Sequence, residues 1–173
     1  MNELFTKTAL PLVLKYEGGF VNDPDDRGGA TNKGVTQKVY DFYRVKKGLE
    51  KQSVKFISNS EVENIYYNEY WVPAKCNELS NKVAVAHFDT CVNSGIKRGS
   101  KILQKAAGVL DDGVIGNQTI VAVKRYSDTI LMNKYLDERV RFLNIIVEKN
   151  PVQVKFLRGW LNRVNNLRKV LSE

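Results

Sequence analysis

Apolar positions along this chain recur mostly at helical spacing. Over residues 3–16, Leu4, Phe5, Ala9, Leu10, Val13 and Leu14 return every three or four positions, which predicts a helix. Pro11 lies inside that pattern, so the helix either kinks there or starts late. Gly18-Gly19 supply a stop. Residues 17–36, EGGFVNDPDDRGGATNKGVT, break the periodicity and read as a polar loop with room for a short hairpin. Thr36 caps a helix over about 37–47, and Ser60-Glu61-Val62-Glu63 reads as a capping box for a helix through Ile65, Tyr66 and Tyr70. The apolar stretch 81–95, NKVAVAHFDTCVNSG, predicts a buried helix ending at Gly95. Further helices follow over 99–107, 118–126 and 128–148, with turn-rich VLDDGVIGN at 109–117 and a helix cap at Asn117. Asn150-Pro151 opens the last helix, which runs to about 171. The chain is therefore mainly α, with one long polar loop near its start and a weak boundary near 96–99.

Composition narrows the function classes. The 173 residues suffice for one domain with a core or for two small lobes. A hydrophobic share of 43% with 27% charged residues excludes a disordered chain. No apolar run approaches the roughly 20 residues of a membrane helix. The N-terminus, with its short ALPLVL run, lacks the features of a signal peptide, so synthesis in the cytoplasm is expected. One histidine, two cysteines and no Cys-x-x-Cys pair offer neither a metal site nor a disulfide framework. The net charge of +8 points to a polyanionic partner such as nucleic acid, anionic lipid or an acidic wall polymer, or simply to solubility.

The loop carries the candidate chemistry. Glu17 follows the first apolar helix, where a carboxyl group leaves water in part. Partial burial there would disfavour the charged form and suit a general acid near neutral pH. The alternative is an ordinary exposed Glu at a helix end, and only the acidic loop ahead separates the two. Asp23, Asp25 and Asp26 lie ahead of it. Two carboxyl groups in unlike environments are the usual device of glycoside hydrolysis. Thr31 lies beyond Gly28-Gly29, which permit a chain reversal back toward Glu17. A phosphate loop is excluded because Val35 stands where its lysine belongs, and the alternation of a calcium loop is absent. Elsewhere, His87 and Trp71 read as core, as do Phe156 and Trp160, while Lys155, Arg158, Arg163, Arg168 and Lys169 read as a solvated basic face.

EGGFVNDPDDRGGATNKGVT resembles the signature of glycoside hydrolase family 108, the bacterial and phage N-acetylmuramidases. The resemblance continues in YNEYWVPAKCNEL (67–79) and VAHFDTCVNSG (85–95). ILQKAAGVLDDGVIGNQTIVAV (102–123) and FLRGWLNRV (156–164) resemble the peptidoglycan-binding region that accompanies the family. It implies a lysozyme-like helical fold with a small loop or β-hairpin lobe near the N-terminus. It also implies a catalytic region over 1–96 and a peptidoglycan-binding region over 97–173, separate or packed as one unit. The implied reaction is hydrolysis of the β-1,4 bond between N-acetylmuramic acid and N-acetylglucosamine, without metal or cofactor. Glu17 takes the place of the family's catalytic acid, Asp26 that of the second carboxylate and Thr31 that of the threonine beside the attacking water. Asp23 and Asp25 stand close enough to Asp26 to leave that choice open. Asp89 and Asn93 share a helix face and take places in the cleft wall, with internal bonding the equal alternative. Gln104, Asn117 and Gln118 are candidate contacts to glycan or stem peptide. The expected partner is peptidoglycan, met in the periplasm or on the wall after release through a holin, by a monomer with no nucleic-acid binding and no stable membrane insertion. The role is wall lysis or passage of secreted proteins. A non-catalytic peptidoglycan-binding module and a basic nucleic-acid binder are the rival classes, and the intact E-G-G and D–G-G–T pattern favours the enzyme.

Overall fold

The computed structural model describes residues 1–22 and 29–173 and divides into two compact units, 1–69 and 70–173. The assignment of Asp26, with its neighbours Asp23 and Asp25, lies outside the described residues. The described chain is mainly α, with a small hairpin near the N-terminus, as expected.

In the first unit a π-helical turn, Phe5–Ala9, runs directly into α1, Leu10–Leu14. The Asn2 side chain opens this segment by accepting from the Phe5 N–H at 2.9 Å. Pro11 has no N–H to give the helix. The wider turn before it sends the Leu10 N–H back to the Phe5 carbonyl, so the helical segment runs on through Pro11 and does not start late. Phe5, Ala9, Leu10 and Val13 are buried, and the Phe5 ring meets Tyr67 edge-on at 5.1 Å.

The hairpin pairs β1, Thr31–Asn32, with β2, Val35–Thr36, antiparallel, with Thr31 opposite Thr36. Its two-residue turn puts Lys33 and Gly34 at φ 51° and 74°. That is the twist that suits the flanking strands. Val21 and Thr31 exchange two 2.8 Å backbone bonds, and the Lys33 N–H donates to the Gly18 carbonyl at 3.1 Å. The turn is thereby fastened to the chain leaving α1. The buried Asn32 amide donates to the Val54 and Lys55 carbonyls. Helix α2, Gln37–Lys46, begins as expected, with the Thr36 hydroxyl accepting from the Val39 N–H.

The capping box of α3, Asn59–Tyr66, uses Ser58 and Glu61 rather than Ser60 and Glu63. The reason lies in the packing. The Glu61 carboxylate also takes bonds from Tyr40 and Arg44, at 2.9 and 2.8 Å. Burial alone would raise its pKa, but bonds from the Ser58 N–H and hydroxyl, with those partners, bring it below the usual value.

The second unit is a helical bundle. It contains α4 (Asn81–Ser94), α5 (Ile96–Ala107), α6 (Asn117–Val123), α7 (Asp128–Lys149) and α8 (Val154–Ser172). Helices α4, α5 and α7 pack on one another, α8 packs on α7 and α6 on α5. Every residue of α4 from Val83 to Cys91 is buried, which explains its continuous apolar run. Asp128 of α7 caps α4, accepting from the Lys82 and Val83 N–H groups and from the Ser80 hydroxyl.

Trp71 and His87 are core residues, as expected. His87 touches the Tyr135 hydroxyl and the Ala74 carbonyl through its two ring nitrogens. Burial outweighs the bond to Ala74 and lowers its pKa to about 4. Two expectations change. Phe156 stacks on Trp160 at 6.0 Å but is 47% exposed, so it lies on the outside of α8, while Trp160 is half-buried. Arg163 leaves the basic face and turns inward to Asp89, an acid that the local sequence does not connect to it. No helix among the described residues is long and apolar enough to cross a membrane.

Candidate active site

Glu17 sits one turn beyond α1, where Tyr16 and Glu17 donate their N–H groups to the Val13 and Leu14 carbonyls. These bonds prolong the helix just far enough to hold the residue, which is half-buried. Its carboxylate lies against the hairpin turn. A Cβ placed on Gly34 would stand 2.9 Å from the Glu17 Oε2 and 3.2 Å from its carboxyl carbon. The same point lies 2.2 Å from the Tyr66 hydroxyl. That hydroxyl donates to the Lys33 carbonyl at 3.0 Å, and Tyr66 is 2% exposed. The end of α1, the hairpin turn and the end of α3 thus meet around a carboxyl group, a phenol and a position where only hydrogen fits.

Thr31 occupies β1 of the same hairpin, half-buried, with its hydroxyl directed to the Gly29 carbonyl at 3.4 Å. That long bond is a weak one, so the hydroxyl keeps its capacity to hold a water. The sequence does not by itself bring Gly34 and Tyr66 to Glu17. The N-K-G step is a hairpin-turn signal, but Tyr66 stands among Tyr67, Tyr70 and Trp71, where no single ring is favoured.

The five polar candidates of the second unit separate by exposure. Asp89 is 2% exposed, and its oxygens take bonds from Arg139 at 2.6 Å and Arg163 at 2.8 Å, which joins α4, α7 and α8. The carboxylate faces these two guanidinium groups. Asn93, one turn further, is exposed. Gln104 is 2% exposed and organises the loop after α5. Its amide nitrogen lies within bonding distance of the Asp112 carboxylate, the Val114 carbonyl and the Thr119 hydroxyl, and its oxygen accepts from the Gly113 N–H. The Val114 N–H and the Gln104 amide hold the Asp112 carboxyl below its usual pKa. Asn117 and Gln118 are exposed at the start of α6, where Asn117 is the first helical residue rather than the cap. Among the described residues no cluster of histidine, cysteine or acidic groups is arranged to hold a metal ion.

Residues 10–95 match the family model described as Glycosyl hydrolase 108, and residues 98–165 match that of a Predicted Peptidoglycan domain. Among solved structures, SagA of Brucella abortus is similar at 33% identity and a TM-score of 0.76. The alignment covers 96% of this chain and 92% of that one. No curated protein matches the chain.

Proposed function

We propose that this chain, which belongs to the glycosyl hydrolase 108 family and has a mainly helical, lysozyme-like fold, cleaves the β-1,4 bond between N-acetylmuramic acid and N-acetylglucosamine. It is a glycoside hydrolase with a peptidoglycan-binding region, so the glycan of the wall is its substrate. The observation that carries the finer reading is the seating of Glu17, half-buried with its carboxylate against Gly34, at a point that the Tyr66 hydroxyl also approaches. A carboxyl group so placed protonates the departing glycosidic oxygen. Asp26 supports the oxocarbenium-like transition state or orients water, and Thr31 holds that water. The first 96 residues act as the catalytic region, with Asn93 exposed at the cleft wall, and the remainder grips the wall, with Asn117 and Gln118 as exposed contacts. Asp89 and Gln104 serve by fixing helices and loop. The setting in this reading is wall lysis or the passage of secreted proteins, by a monomer released through a holin.

The test is fragment release from purified peptidoglycan by the wild type and by Glu17→Gln, with new reducing ends identified by mass spectrometry. Gln keeps the size and cannot donate the proton. Muramic-acid ends from the wild type, with a loss of roughly 10²–10⁴-fold in the folded variant, are expected. N-acetylglucosamine ends would overturn the bond assignment, and undiminished release by the variant would overturn the role of Glu17. Binding of sacculi with no release by the wild type would make the chain a binding module.

A further inference from the structure

Where α5 and α7 pack together, they leave a surface groove of about 520 Å³ along their seam. Its floor is apolar, built from Ile102, Phe142, Ile145 and Ile146. Its walls are basic. α5 presents Arg98, Lys101 and Lys105 on one helical face, and α7 presents Arg141 and Lys149. Only Asp111 and Glu138 oppose them in the lining. Those two acids are already engaged, Asp111 by Lys105 at 3.6 Å and Glu138 by Arg141. Among the described residues, Arg98, Lys101 and Lys149 have no carboxylate within ion-pair distance. Arg98 lies over the Phe142 ring at 4.7 Å, and Lys101 exerts a weaker, longer-range pull on Asp112.

The loop after α5 packs beside the groove. Gly113 has φ +85°, and a Cβ there would stand 2.9 Å from the Lys97 Cγ and 3.4 Å from the Lys101 Cγ. The loop therefore lies on those lysine stems, locked by Gln104.

We propose that this groove binds the peptide stem of peptidoglycan through its free carboxylates, an inference that rests on the peptidoglycan reading above. The charge selects the peptide over the glycan. Where the lactyl group of muramic acid is amide-linked to the stem, the sugars are neutral, whereas the stem carries carboxylates among small apolar side chains. An excess of cations over an apolar floor complements that mixture. Every residue lining the groove falls within the stretch that matches the peptidoglycan domain, residues 98–165. Arg98 and Lys149 take the carboxylates, and Phe142 and Ile145 meet the alanine methyl groups.

The full chain is tested by calorimetry against three probes. They are the wall disaccharide carrying a tetrapeptide with free carboxylates, the same compound with its carboxylates amidated, and duplex DNA as an unrelated polyanion. Arg98→Glu with Lys149→Glu is expected to weaken binding of the first probe about tenfold, since exposed ion pairs are individually modest. Amidation should weaken wild-type binding to a similar degree. Hydrolysis of glycan stripped of peptide should be unchanged. Arg98→Gln with Lys149→Gln gives a milder version should charge reversal disturb folding. Equal affinity of both probes for the wild type, or equal affinity of wild type and variants for the first probe, overturns the proposal. So does tighter binding of duplex DNA than of the first probe. Fragment release by the wild type is measured alongside. Its absence would refute the muramidase reading, whereas release with no discrimination between the two disaccharides would refute only the groove.

Discussion

Gly34→Ala tests whether the hairpin turn holds in place the Glu17 carboxyl group proposed as the acid. The new methyl carbon would lie 2.2 Å from the Tyr66 oxygen and 2.9 Å from the Glu17 Oε2. Ordinary carbon–oxygen contact lies above about 3 Å, so one partner has to move by about 1 Å. Tyr66 is buried and bonded to the Lys33 carbonyl, so it cannot swing away cheaply. Displacement therefore falls on the Glu17 carboxylate or on the turn itself. A shift of about 1 Å at a reacting group costs on the order of 10²-fold in rate. Alanine at φ +74° adds about 1–2 kcal/mol of backbone strain. The expectation is a folded protein, less stable by about 1–2 kcal/mol in chemical denaturation, with turnover of peptidoglycan down about 100-fold. The double variant Gly34→Ala with Tyr66→Phe removes the nearest oxygen. No other atom lies nearer that point than the two Glu17 atoms, at 2.9 and 3.2 Å. If crowding by Tyr66 displaces the acid, the double variant regains activity over the single one. Full activity in Gly34→Ala, or a loss explained wholly by unfolding, would refute the reasoning.

Asp89→Ala leaves Arg139 and Arg163 facing each other without their shared carboxylate, at side-chain exposures of 2% and 10%. Removing one partner of a buried ion network costs about 3–5 kcal/mol, and a loss under about 1 kcal/mol in denaturant titration would show the acid to be dispensable. His87 gives a pH dependence. Its folded pKa is about 4 against an ordinary 6.5, so the unfolded chain binds the extra proton between these values. Stability is full above about pH 6.5 and falls as pH drops toward 4, by about 3 kcal/mol in all. His87→Gln should flatten that part of the melting profile, and an unchanged slope would assign it to other groups.

Helices α4 and α7 were legible because their signals are local. A run such as VAVAHFDTC buries on every face and Gly95 marks its end, while α7 repeats apolar positions such as Leu131, Leu136 and Leu143 at helical spacing. The E-G-G motif placed Glu17 for the same reason, since adjacency in the chain carries it. The capping box of α3 was placed two residues late because two serines and two glutamates offered equivalent pairs. Tyr40 and Arg44, some twenty positions earlier, decided for Glu61 by sharing its carboxylate.

The sequence by itself determined the mainly helical class, the polar loop after the first helix and the acid at its head. Helix periodicity, caps and short motifs act over a few residues, and that is the range a single chain displays. Tertiary structure alone decided that Tyr66 and Gly34 meet Glu17, that Asp89 answers two arginines rather than solvent, and that Gln104 locks a loop. Each of these depends on which distant segments share a limited volume, and a buried charge or hydroxyl takes whatever partner packing brings within bonding distance. The groove between α5 and α7 has the same origin. Its cations are scattered along the chain, and only the crossing of two helices makes them one surface.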